Sequence, residues 1–429
     1  MNTSQTFQLF LTNLSIKNRE EISNRYKRIT KILNQKYYLI DSDTNNSLQV
    51  GSYGRRTAID GVSDLDMIFE LPSATYTRFN NYENNGQSAL LQEVKSTIKQ
   101  TYPSTDVRGD GQVVVVKFAN YVIEVCPGFK QKNDSAYLYP DANDRGSWKR
   151  TNPKPEIDEI NSFNQTTNGN LKNLAKIVRA WKNKCGVKIC GLLIDTLCYE
   201  FLQERKDHQI TSLSNYDILV QDFFKYLKDY DTNRKYWYAP GSNQKIYKKQ
   251  SNFISKSKKA YENIKEAINK KDNNTVYGIW RKIFGSSFPY PKEIRESSLN
   301  YTPDEEFIED LYPVDITNIL KIECEVSQAG FRTEYLRKML TKLKARKKLK
   351  FFIEYTDVEP PYTVKWKVKN KGLIAKQRNN LRGQILNDSG SGIRNETSDF
   401  EGEHYVECYL IKDGRCVARD RIDVPISNL

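Results

Sequence analysis

Histidine is almost missing from this 429-residue chain: His208 and His404 are the only two. The seven cysteines (126, 185, 190, 198, 324, 408 and 416) are odd in number, and no two have CxxC spacing. These shortages exclude a structural zinc site and a disulfide framework; the thiols read as small buried hydrophobes in a reducing, cytoplasmic protein. Long apolar runs are missing too. Nothing approaches the roughly 20 residues of a membrane span. The first residues, MNTSQTFQLF, lack the basic start and apolar core of a secretion signal. No internal repeat stands out.

Acid is in short supply relative to base. Asp and Glu number 53 against 67 Lys and Arg, a formal charge of +14. That sign favours polyanions such as nucleotides or nucleic acid. The excess is uneven: residues 331–350 carry nine Lys/Arg against the single Glu334. Phe331, Tyr335, Met339 and Leu343 recur there at fourfold spacing, which predicts a basic helix. It could bridge domains or bind a nucleic-acid activator.

Residues 6–38 are predicted helical from apolar positions three and four apart. LQVGSYGRRTAI, SDLDMIFELP, GQVVVVKF and YVIEVCPGF read as strands, with a helix over 88–102 between them. From about 168 the pattern is helical. Leu171, Leu174, Ile177, Val178 and Trp181 share one face, GLLIDTLCYEFLQE follows as a buried helix, and the run continues to about 290. The expected division is 1–167 for an α/β core with an N-terminal helix, 168–296 for a helical domain closing a cleft, 297–315 for a linker, and 316–429 for a β-rich sandwich. The fold class is α+β. His404 reads as a sheet residue, and the aromatics of NRKYWYAP as packing.

The chemistry is concentrated in GSYGRRTAIDGVSDLD, which begins at Gly51. Asp64 and Asp66, two apart on a strand, project to one side while Leu65 and Met67 face the core. Adjacent carboxylates are costly unless a cation compensates them, and Mg²⁺ takes carboxylate oxygens together with substrate phosphates. Glu124, the acid in the middle of the apolar strand YVIEVCPGF, completes a candidate two-metal set, the ions about 3.5–4 Å apart. Upstream, Gly51 and Gly54 let the backbone approach phosphate closely, Ser52 adds a hydroxyl, and Arg55 or Arg56 adds charge.

This order (GSYGRRT, SDLDM, then EVCPGF) resembles the polymerase-β-like nucleotidyltransferases. Within them it resembles the bacterial cyclic-oligonucleotide synthases related to cyclic GMP-AMP synthase and oligoadenylate synthase, the CD-NTases of anti-phage CBASS systems. WKVKNKGLIAKQRNNLRG and FEGEHYVECYLIKDGRCVARD resemble the C-terminal AGS-C sensor module attached to some of them. The resemblance implies Asp64, Asp66 and Glu124 as ligands of two Mg²⁺ ions, for which Mn²⁺ can substitute; Glu124 stands where relatives often carry Asp. It implies that Gly51 and Ser52 hold the triphosphate. Arg179, in IVRAWK, stands where relatives often carry a phosphate-facing Lys, and Lys182, Lys172 and Lys176 share its helix. It also implies NTP substrates with ATP among them, a cyclic product read by a downstream effector, and an activating ligand or partner for the sensor module. No membrane is implied. A linear-oligonucleotide, RNA-tailing or toxin-antitoxin transferase and an inactive nucleotide sensor are the rival readings.

Overall fold

The computed structural model describes residues 2–427 apart from 62–63, 133, 249–250, 271, 295–304, 313, 329, 331, 340–342 and 379. The chain divides into two units, Met1–Tyr301 and Thr302–Leu429.

The first unit opens with α1 (Thr3–Leu14) and α2 (Arg19–Tyr38), so the helix expected over 6–38 is two helices broken at residues 15–18. The break sends the two halves to different cores. Phe7 and Phe10 of α1 enter the helical core, whereas Ile22, Tyr26, Ile29 and Leu33 of α2 pack on the sheet. β1 (Ser47–Gln49) is followed by one helical turn, α3 (Gly51–Gly54), and then by β2 (Leu65–Glu70). GSYG is thus a turn of helix where a strand was expected. Next come α4 (Ser73–Asn80), α5 (Gly86–Thr101), β3 (Asp106–Asp110), β4 (Val113–Lys117), β5 (Val122–Lys130), β6 (Tyr137–Asp141) and β7 (Ser147–Thr151).

The sheet order is β1-β2-β5-β4-β3, with β6 and β7 continuing from the far end of β5. Only β2 and β5 run parallel; their neighbours in the sheet are antiparallel. On β2 the two-residue period sends Leu65, Met67 and Phe69 into a core with α2 and α5. Ile68, on the other side, meets Leu48 and Tyr137 in a small second cluster.

The helical part holds α6 (Pro153–Thr166), α7 (Asn170–Cys185), α8 (Gly191–Glu204), α9 (Tyr216–Lys228), the hairpin of β8 (Tyr236–Tyr238) and β9 (Lys245–Tyr247), α10 (Phe253–Asn269) and α11 (Asn273–Phe284). It shares one compact unit with the sheet rather than forming a separate domain. Trp237 of the hairpin is wholly buried, as expected of packing, while its neighbours Tyr236 and Tyr238 are exposed. Among the described residues no helix is long and apolar enough to cross a membrane.

The second unit begins with α12 (Ile308–Leu311), then β10 (Leu320–Ser327), β11 (Glu334–Tyr335), β12 (Leu343–Lys344), β13 (Lys348–Thr356), β14 (Thr363–Lys369), α13 (Leu373–Gln377), β15 (Arg382–Asn387), β16 (Ile393–Thr397), β17 (Gly402–Lys412) and β18 (Arg415–Ser427). Sheets of order β11-β10-β13-β16 and β12-β18-β17-β14-β15 enclose one apolar core, which is the expected sandwich. His404 lies in β17.

Two expectations fail here. Residues 331–350 are short strands and turns, not a basic helix, although Phe331 and 340–342 lie outside the described residues. Fourfold spacing of apolar residues is also even spacing, and Leu343, Leu349 and Phe351 go into the sandwich core instead. A helix would have stacked like charges three and four apart, which is unfavourable. The expected linker 297–315 is in part structured: Ile308, Tyr312, Val314 and Ile316 pack on Ile385, Tyr409, Ile411 and Cys416. Residues 297–304 lie outside the described residues.

The first unit's helical core is held by Trp280, wholly buried and stacked on Phe288 (5.4 Å) and Phe284 (5.7 Å), with Phe7 edge-on at 5.5 Å. Trp280→Ala is expected to cost about 3–5 kcal/mol. Urea unfolding of the full chain followed by helical circular dichroism checks this, because the long helices all belong to the first unit.

Candidate active site

The parallel register of β2 and β5 sets Asp66 directly beside Glu124. Asp66 lies on the strand face opposite Leu65 and Met67, and Asp64 precedes the strand by one residue. Burial and then the charge of Glu124 push the Asp66 carboxyl up to about 7, with Asp64 adding to the shift and Arg55 opposing it. Burial followed by Asp64 also raises Glu124, and burial raises Asp64. The two carboxyls thus disfavour each other's charge, a cost that a cation between them would offset. Among the described residues no three acidic, histidine or cysteine side chains are already closed into a metal cage. The donor set nevertheless suits a hard divalent ion: oxygen ligands only, mutually repelling and partly shielded from water.

Gly51 makes room for this arrangement. Its φ is +60°, and a Cβ there would stand 1.8 Å from Asp66 Oδ2. The carboxylate therefore lies against the backbone of the Gly-Ser turn itself. The turn is closed by Gly54 N donating to the Val50 carbonyl (2.9 Å) and by Thr57 N donating to the Ser52 carbonyl (2.8 Å). Gly54 is also needed, because a Cβ would come 2.4 Å from the Gln49 carbonyl oxygen. The first N–H groups of a helical turn have no acceptor within it and suit an anion.

Two of the residues expected on the phosphate side are placed elsewhere. Arg55 is buried, and its Nε donates to Asp195 Oδ2 at 2.7 Å. Arg179 donates from Nη1 to Asp195 Oδ1 (2.6 Å) and from Nη2 to Asp195 Oδ2 (2.9 Å). Thr57 Oγ1 donates to the same carboxylate at 3.1 Å. Burial alone would raise Asp195, but the two guanidinium groups outweigh it and hold the carboxyl below its usual range. Arg55 and Arg179 thus pin α3 and α7 to α8; both guanidinium groups are committed to Asp195. Lys182, three residues past Arg179 at the end of α7, is half-buried, and burial and then Arg179 lower its amine.

A cationic cluster lies nearby that sequence reasoning did not choose. Burial, then the charges of Arg56 and Lys176, push Lys172 down to about 6. Burial, then Arg19, Arg179 and Arg56, push Lys176 down to about 8. Lys172 hydrogen-bonds Asn161. Asp195 was missed as well, although an acid inside the apolar helix GLLIDTLCYEF was a visible signal.

Residues 1–164 match the model of the Second Messenger Oligonucleotide or Dinucleotide Synthetase domain, and residues 302–427 that of the Adenylyl/Guanylyl and SMODS C-terminal sensor domain. Residues 1–164 thus carry a second messenger oligonucleotide or dinucleotide synthetase domain, with a sensor domain of the kind found in such synthetases after it. The chain is 22% identical over 274 residues to a probable cyclic nucleotide synthase of Bacillus cereus (strain VD146), spanning 56% of this chain and 81% of that protein. It is 22% identical over 254 residues to a cyclic AMP-AMP-AMP synthase of Acinetobacter sp. (strain ATCC 27244 / 9458), spanning 56% and 71%. The E. coli MS115-1 CdnC structure with ATP aligns with a TM-score of 0.51 at 15% identity, over 67% of this chain and 99% of that one. That likeness shows the polymerase-β-like nucleotidyltransferase fold of this synthetase.

Asp195→Asn leaves the buried Arg179 without its anion and Arg55 with only Glu156, 3.7 Å away, and is expected to cost about 3–5 kcal/mol, measured by urea unfolding. Gly51→Ala is expected to cost about 1–2 kcal/mol in urea unfolding, from the left-handed backbone, while nucleotidyl transfer falls by about two orders of magnitude, because the new methyl group displaces Asp66.

Proposed function

We propose that this synthetase joins NTPs into a cyclic oligonucleotide second messenger for anti-phage (CBASS) signalling, with ATP among its substrates. The observation that carries the reading is the register of Asp66 beside Glu124, with Asp64 one residue upstream and the Gly51–Ser52 turn against the carboxylate. The names of the Bacillus and Acinetobacter relatives support the product class.

In this reading Asp64, Asp66 and Glu124 hold divalent cations, two Mg²⁺ ions with Mn²⁺ able to substitute. Such ions neutralise the triphosphate and raise the acidity of an attacking hydroxyl. The chain's own residues do the rest. The Gly51–Ser52 turn supplies backbone N–H groups and a hydroxyl to the phosphates. Lys172 and Lys176, with Arg56, supply the positive charge first assigned to Arg55 and Arg179; a bound triphosphate would return the Lys172 amine to its charged form and favour the charge Lys176 already carries near neutrality. A ribose hydroxyl oxygen attacks the α-phosphorus, the bond to the β-phosphate oxygen breaks, and pyrophosphate leaves. The hydroxyl proton passes to solvent, a loss that cations held by the three carboxylates would ease. Repetition lengthens the chain, and the same step within one molecule closes the ring. A downstream effector then reads the product.

Incubation with each labelled NTP and Mg²⁺ or Mn²⁺, followed by phosphatase and mass spectrometry, tests the reading. Products unchanged by phosphatase are expected, and products that lose terminal phosphates to leave a linear core oligonucleotide would mean a linear polymer. Asp66→Asn is expected to lower product at least a thousandfold, about 4 kcal/mol of barrier, with the protein still folded. Full activity in that variant would overturn the site.

A further inference from the structure

The active site uses little of the surplus positive charge, and part of the remainder is organised on the second unit. Strand alternation places Lys365, Lys367 and Lys369 of β14 on one face and Trp366 on the other, in the sandwich core. Across the ladder Lys365 pairs with Tyr409, Lys367 with Glu407 and Lys369 with Tyr405; Glu407 in turn pairs with Arg421. Cations and tyrosines therefore interleave on one sheet face. Arg421 lies 3.8 Å above the Tyr405 ring, and Lys371 stands 5.2 Å from it. Lys367 is only 1% exposed, so its charge requires an anion at hand.

That anion includes Glu305, from the segment that links the two units. Its carboxylate lies 2.6 Å from Lys367 Nζ and 3.1 Å from Lys369 Nζ, and it accepts from the Tyr405 hydroxyl at 2.6 Å. Burial alone would raise this carboxyl, but Lys367 foremost among its partners holds it below the usual range. Gly383 (φ +122°) makes way for it, since a Cβ there would come 3.1 Å from Glu305 Cγ. The residues that follow are fastened to the same face. Glu306 N donates to the Gly383 carbonyl (3.1 Å), Asp315 N to the Cys416 carbonyl (3.0 Å) and Thr317 N to the Val417 carbonyl (3.0 Å). Phe307 and Tyr312 lie beneath Lys367 and Lys365, at 4.6 and 5.2 Å.

Two ammonium groups and a phenol converging on one carboxylate, beside tyrosine rings, form a set that suits phosphate and an attached base. We propose that this face of the sandwich is a binding site for a nucleoside polyphosphate, that Glu305 occupies it as an internal stand-in, and that the ligand displaces Glu305 and frees the segment 305–317. Glu407 of β17 also lies 3.5 Å from Lys367 Nζ, farther off than Glu305. A phosphate brings more negative charge than a carboxylate, so the exchange leaves Lys367 and Lys369 better compensated than Glu407 alone would leave them. Release alters the covalent connection to the catalytic unit, which couples occupancy of the sandwich to the enzyme. The inference goes beyond nucleotidyl transfer and does not depend on it, because every residue involved lies in the second unit.

Hydrogen exchange of the full chain with inorganic tripolyphosphate, and separately with adenosine, tests it. Tripolyphosphate is expected to raise exchange at the amides of Glu306, Asp315 and Thr317 about tenfold, and adenosine alone is expected to leave them unchanged. Glu305→Gln is expected to raise their exchange without ligand and to tighten tripolyphosphate at this face about tenfold, while Lys369→Gln, which retains the buried Lys367, weakens it by a similar factor. Amides in this segment report on the sandwich even if tripolyphosphate also enters the catalytic cleft. Exchange unmoved by tripolyphosphate in both the native chain and Glu305→Gln would overturn the proposal, as would an equal response to adenosine.

Discussion

The catalytic unit depends on one buried anion. Asp195 is fully enclosed, and a lone carboxylate there would be neutralised or would unfold its surroundings. Two guanidinium groups and a threonine hydroxyl make its charge tenable, and they come from separate parts of the chain: Arg55 and Thr57 follow the Gly-Ser turn, while Arg179 comes from α7. The anion therefore fixes where the turn stands relative to the helices. Since a buried ion pair contributes little net stability over an apolar substitute, its worth lies in that positioning.

The turn then fixes the chemistry. Gly51 carries no side chain because Asp66 occupies the space where one would stand. The parallel pairing of β2 with β5 brings Glu124 beside Asp66, and the rest of the sheet holds that register by burying the opposite face of β2. Three carboxylates are thereby kept in a configuration that each disfavours for the others. The protein bears this cost because the fold elsewhere is well packed, and in the proposed function a cation together with a triphosphate would relieve it.

Much of this was legible in the sequence. A strand period is two, so Asp64 and Asp66 had to share a side and Leu65 and Met67 had to face inward; the structure agrees. The sandwich followed from alternating strands, and the helical run after 168 from threefold and fourfold spacing. What failed has identifiable causes. Fourfold spacing in 331–350 fits a strand's period as well as a helix's, so it did not discriminate. Residues 15–18 contain no proline or glycine to announce the break between α1 and α2. Arg55 was placed by its charge beside the turn and Arg179 by the resemblance, and neither reveals a partner. Asp195, 140 residues from Arg55, binds both, and only tertiary structure brings them together.

The same argument bears on the second unit, where Lys367 repeats the situation of Asp195 with the sign reversed. In the first unit the compensating charges come from the framework itself, Arg55 and Arg179, and stay in place as long as the unit is folded. In the second, one compensating charge comes from Glu305, in the link between the units, with the carboxylate partly shared with Lys369 and Tyr405. A buried charge whose partner sits on a framework element rigidifies the fold. A buried charge whose partner sits on a peripheral segment makes the position of that segment depend on which anion is present. A competing anion would therefore alter the second arrangement while leaving the first intact, and that difference is what the proposed displacement of Glu305 requires.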